Sequence, residues 1–192
     1  MRYQADHKEQ ARARLVEAAG RGFRKRGYGG IGVDGLAKEA GVTSGAFYGH
    51  FKSKDEAFKV AVEAGLDELY ECIGALQEEQ GDAWLAAFID LYLGPKRTCE
   101  LGMSCALQSL TPEVQRADSA IRSVFEERAR RVARAIARGL VGAEADRLAR
   151  AWALLALLSG GVTLARACES EEAGAQVAEG VRLAALAIAV GS

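Results

Sequence analysis

Little in this chain invites a β-sheet, a disulfide framework or a metal cluster. Only two prolines, Pro95 and Pro112, interrupt 192 residues, and β-branched runs are scarce, so intrinsic propensity leans to helix along nearly the whole length. An all-α protein is expected. The four cysteines, Cys72, Cys99, Cys105 and Cys168, are widely spaced with no C-x-x-C, which argues against a disulfide scaffold and a zinc module and leaves reduced thiols. Histidine is rarer still, with His7 and His50 both near the N-terminus. No Glu-x-x-His pair, nucleophile with base, or phosphate-cradling loop accompanies them. An enzyme built on a helical bundle therefore lacks its residues, and neither cofactor nor metal is expected. Long apolar runs are missing too. Met1 to Gln10 is polar and lacks the apolar centre of a secretory signal, and the longest apolar stretch, Ala151 to Leu158, is too short to span a bilayer. A cytoplasmic protein without a membrane partner is the expectation.

What the chain does have is glycine, 22 of them, and a lopsided charge. Glycine inside a helix costs about 1 kcal/mol relative to alanine, so many of these should mark helix ends. The net charge is only -1, but residues 1–54 carry 11 Lys/Arg against 5 Asp/Glu, and the remainder carries 14 against 21. A basic head precedes an acidic body, and a polyanion is the natural partner of the head.

Helical periodicity divides the chain further. Ala11, Leu15, Ala18, Ala19, Gly22 and Phe23 share one face of a first helix that ends at Gly27 to Gly30, after Arg24, Lys25 and Arg26. Val33, Leu36, Ala37 and Ala40 form a short second helix closed by Gly41 as a left-handed cap, and Thr43 or Ser44 caps a third through Phe47 and Tyr48 to about Phe51. Two short helices around a glycine turn read as a helix-turn-helix. Phe47 and Phe51, four apart, belong to its inner face. Ser53 with Glu56 forms a capping box for a long fourth helix, broken at Gly81, and a fifth follows from Asp82 to Leu93 before Gly94-Pro95. Cys99 to Leu110 is irregular by pattern. Thr111-Pro112-Glu113 predicts a helix start running to about Arg138, and Glu144 to Ala167 and Glu171 to Val190 complete about nine helices. The last two are apolar on more than one face. A homodimer packing both from each subunit into a four-helix bundle would cover them.

The run from Val33 to Lys54, with Ala40-Gly41-Val42-Thr43, Gly45-x-x-Tyr48-x-x-Phe51 and Ser53-Lys54 in register, resembles the head of the TetR/AcrR family of transcriptional repressors. Physics gives several positions a role directly. Gly45 lets the third helix approach DNA closely, and Thr43, Ser44 and Ala46 are placed to meet major-groove edges through hydroxyl and methyl groups. With no bidentate arginine or glutamine there, sequence preference leans on DNA shape. Tyr48, His50 and Lys54 match the family's phosphate-anchoring positions, whereas Gly32 and Ser44 replace a hydroxyl residue and a basic side chain that the family often carries.

The resemblance implies a DNA-binding domain over 1–54 and a ligand-binding, dimerising domain over 55–192. It also implies a palindromic double-stranded DNA operator bound as a homodimer, and release by a small-molecule effector. Trp84, Phe88, Tyr92, Met103, Phe125 and Trp152 are candidates for lining the effector pocket, with simple core packing as the alternative for each. Cys105, in Gly102-Met103-Ser104-Cys105, is either an inert buried thiol or an electrophile sensor. A helical protein-interaction module without DNA binding is the competing reading.

Overall fold

The computed structural model describes residues 2–190, with side chains from Glu9 to Ala189. The described residues form ten α-helices and two 3-10 turns, and the fold is all-α. They divide into two compact units, one comprising the described residues up to 65 together with 100–125, and the other 66–99 with those from 126 on.

The first unit is built on α1 (Arg2–Arg26), which packs against α2 (Val33–Glu39), the 3-10 turn Leu101–Met103 and α7 (Ala106–Val114). Its core is aromatic. Phe23, Phe47, Phe51 and Phe58 are essentially inaccessible, and Phe23 meets Phe58 edge to face at 5.1 Å. α1 ends as its sequence predicts, at Gly27 with φ +71° and three cations in the last turn. α3 (Ser44–Tyr48) contacts α2, and α4 (Lys54–Gln80) begins at the Ser53 cap, where Ser53 Oγ accepts from Glu56 N at 3.1 Å. The return bond of the capping box lands one residue early, from Lys52 N to Glu56 Oε2 at 2.6 Å.

One predicted start is corrected here. Thr111-Pro112 lies inside α7 rather than opening a helix, and Thr111 Oγ1 donates back to Leu107 O. The proline removes one backbone bond and costs about 3 kcal/mol. Burial of Ala106, Leu107, Leu110 and Val114 outweighs it, since each large apolar side chain is worth about 1.5–3 kcal/mol. The true start comes later, where Asp118 Oδ1 accepts from Ile121 N at 2.9 Å and caps α8 (Ser119–Arg138). Cys99 to Leu110, irregular by pattern, thus contains a 3-10 turn and the first half of a helix.

The second unit takes the remainder of α4 and α8 together with α5 (Trp84–Leu93), α6 (Pro95–Thr98), α9 (Glu144–Ala167) and α10 (Glu171–Val190). α4 stops at Gly81, φ +52°, and α9 and α10 keep their predicted bounds. These two helices pack along each other closely, because a Cβ on Gly161 would lie 2.6 Å from Val181 Cγ2. α5 buries Phe88 and Ile89 against them. Side-chain bonds stitch α4 to α8: Gln77 Nε2 donates to Ala135 O at 2.9 Å, and Asp67 accepts from Arg131 at 3.1 Å.

α9 also corrects the apolar-run estimate. Small and weakly polar residues after Leu158 extend its apolar character, so the helix as a whole is long and apolar enough to cross a membrane. Its Ala151, Leu154, Leu155, Leu158 and Val162 are instead core positions of the unit.

Candidate nucleic-acid interface

α3 is only five residues long, too short to persist by its own hydrogen bonds. Three local devices and one core contact hold it. Gly41 adopts φ +68°, and Gly41 N and Val42 N donate to Lys38 O and Ala37 O at 3.1 and 2.9 Å, which reverses the chain after α2. Thr43 then caps α3 by accepting from Ala46 N at 3.2 Å. Ser44 Oγ donates to Asp34 Oδ1 at 2.5 Å, tying the first turn of α3 to the first turn of α2. Beneath, Phe47 is fully buried and its ring lies 5.1 Å from that of Phe51.

With its inner face anchored, the rest of α3 points outward. Thr43, Gly45 and Ala46 are exposed, and Tyr48, 56% exposed, stands edge-on to Phe47. Ser44 and His50 are half-buried at the two ends of the same surface, so six of the predicted residues fall on or beside one short helix. A Cβ at Gly45 would meet nothing nearer than Thr43 Oγ1 at 3.9 Å. Nothing inside the protein therefore requires glycine there. Lys54 is half-buried, with its Nζ 4.1 Å from the centre of the Tyr28 ring. The Tyr28 hydroxyl in turn donates to Asp55, and this bond, with burial and the charges of Asp55 and Asp118, pushes the phenol up to about 12.

Two neighbours of this surface escaped the sequence reading. Arg12 of α1 sits 5.9 Å from the centre of the Phe51 ring, and Asp34 reaches Ser44 across ten residues. Neither has a local signal, because both contacts close only when the three helices pack.

The predicted pocket residues divide between the two units. Trp84, Phe88 and Tyr92 are buried together along α5, with the Phe88 and Tyr92 rings 5.6 Å apart. Cys105 and the half-buried Phe125 belong to the first unit. Met103 and Trp152 are 53% and 39% exposed, so neither is an enclosed wall: one projects from a 3-10 turn and the other from the outer side of α9. Among the described residues no group of three or more His, Cys, Asp or Glu is arranged to hold a metal ion.

These features define an N-terminal helix-turn-helix in an all-helical chain. Residues 15–66 match the model for bacterial regulatory proteins of the tetR family. The head is 44% identical over 63 residues to the HTH-type transcriptional regulator TtgR of Pseudomonas putida, an alignment spanning 33% of this chain and 28% of that protein. The fold reaches further. The reduced form of E. coli NemR superposes with a TM-score of 0.74 at 21% identity, covering 90% of this chain and 95% of that one. A TetR-family transcriptional regulator from Cytophaga hutchinsonii gives 0.76 at 18% identity, covering 95% and 96%. Residues 15–66 thus match the tetR family's model, and the fold of the chain is the one seen in these solved structures.

Proposed function

We propose that the protein is a transcriptional repressor that binds a near-palindromic DNA operator as a homodimer and is released by a small molecule held in its body. The observation that carries this reading is the outward face of α3, where a glycine that the fold does not need leaves room for a close external surface. Thr43, Ser44 and Ala46 meet base edges there, and Tyr48, His50 and Lys54 position the helix on phosphates. The +6 balance of residues 1–54 supplies the long-range attraction.

The outer sides of α9 and α10 support the dimer. Ala145, Ala149, Trp152, Ala156, Gly160 and Thr163 are exposed at spacings of three or four, and so are Gln176, Gly180, Leu183 and Ala187 on α10. Such seams are small enough for helices of a second copy to pack closely against them. For the effector, the buried aromatic set of α5 favours a reversible apolar ligand. Cys105, only 9% exposed, is poorly placed to meet an electrophile in solution.

Mobility-shift titration against the region upstream of the protein's own coding sequence tests the reading. A single near-palindromic site should be bound, and the affinity should fall about a thousandfold or more between 50 and 200 mM salt. Light scattering should give a dimer. Absence of a retarded complex, or a binding constant indifferent to salt, would favour a protein-interaction module instead.

A further inference from the structure

One cavity of the first unit takes no part in the reading above. It holds about 360 Å³ between the turn after α1, the start of α4 and the turn joining α7 to α8. That is the small end of the range for small-molecule sites. Its inner wall is apolar: the Tyr28 and Phe58 rings meet edge to face at 5.1 Å, and Ile121 lies beside them. Its rim is acidic. Asp55, Glu113 and Asp118 reach it from three separate segments.

None of these three carboxylates is in an ion pair among the described residues. Arg116, which shares the lining, directs Nη1 to the Pro112 carbonyl at 2.8 Å. The negative field is also registered by the Tyr28 phenol, which Asp55 and Asp118 help to keep protonated. Gly27 makes room for the arrangement, since a Cβ there would lie 2.9 Å from Glu113 Oε1.

We propose that this cavity binds an organic cation with a flat apolar body, such as an aryl-alkyl ammonium. The charged head would sit among Asp55, Glu113 and Asp118, and the body would lie against Phe58, Ile121 and the edge of the Tyr28 ring, over which Lys54 Nζ already lies at 4.1 Å. A hard metal ion is a poor occupant, because it requires six or more oxygen ligands and the aromatic wall offers almost none. An anion would meet three carboxylates. The inference does not depend on DNA binding.

The test is calorimetric titration of the full chain with phenethylammonium, beside 2-phenylethanol as its neutral analogue and 3-phenylpropanoate as the anionic one. The ammonium should bind about tenfold tighter than the alcohol or better, and the carboxylate should not bind detectably. Glu113→Gln combined with Asp118→Asn should weaken the ammonium about tenfold or more and leave the alcohol unchanged. Asparagine at 118 can still cap α8, and thermal melting checks the fold. Should that double variant melt early, Asp55→Asn carries the same comparison. Equal affinities for ammonium and alcohol, or an ammonium affinity untouched by the substitutions, would overturn the proposal.

Discussion

Replacing Gly45 with alanine separates what the fold needs from what an external partner needs. A methyl group at this position would point into open space, 3.9 Å from the nearest side-chain atom, and the backbone is right-handed helix. Alanine loses less conformational freedom than glycine on folding. In the first turn of so short a helix the gain is at the low end of the usual range, about 0.5 kcal/mol. Urea melts followed by far-ultraviolet circular dichroism should show Gly45→Ala at least as stable as the parent, with an unchanged slope. DNA binding should move the other way. A methyl interposed between α3 and the groove lengthens the contacts of Thr43, Ser44 and Ala46 together, and a loss of about 1.4 kcal/mol, tenfold in Kd, is the expected scale. Stability that falls on substitution would mean that the glycine serves the fold. Stability that rises with an unaltered operator affinity would mean that no surface approaches position 45, and the placement of α3 in the groove would be refuted.

Phe47→Ala should behave in the opposite manner, costing about 3–5 kcal/mol of stability because the ring is fully buried, and abolishing DNA binding through loss of α3; a melt within about 1 kcal/mol of the parent would contradict its anchoring role. Asp118→Ala should remove the α8 cap and about 1 kcal/mol, with Asp118→Asn restoring most of it in the same melts. Tyr28 is neutral in the folded state up to about pH 12, above its ordinary pKa near 10. Its contribution is therefore intact below pH 10 and is lost as pH rises through 12. Tyr28→Phe should flatten the alkaline loss of stability in that window, and identical pH profiles for the two proteins would show that the Tyr28–Asp55 bond contributes nothing.

Much of the molecule is written in short stretches of sequence. Gly41, Thr43 and Ser53 act on atoms within five residues of themselves, so the end of α2 and the starts of α3 and α4 follow from local chemistry, whereas α3 stops at Tyr48, short of the expected Phe51. The same holds for the Gly81 break and for the full extent of α9 and α10, whose long periodic patterns leave few alternatives. The inner and outer sides of this segment were legible as well, since a spacing of four puts Phe47 of α3 and Phe51 just beyond it on the buried side and releases Tyr48 to the other.

Packing decided the rest. A threonine-proline pair reads as a helix start wherever it occurs, and only the burial of four apolar neighbours made it the interior of α7. Asp34 with Ser44, Arg12 with Phe51, and the acidic cavity around Tyr28 join residues with no shared periodicity. Local sequence sets helices because their bonds close within a turn; which side chains meet across ten or ninety residues is settled only when the helices bury their apolar faces together.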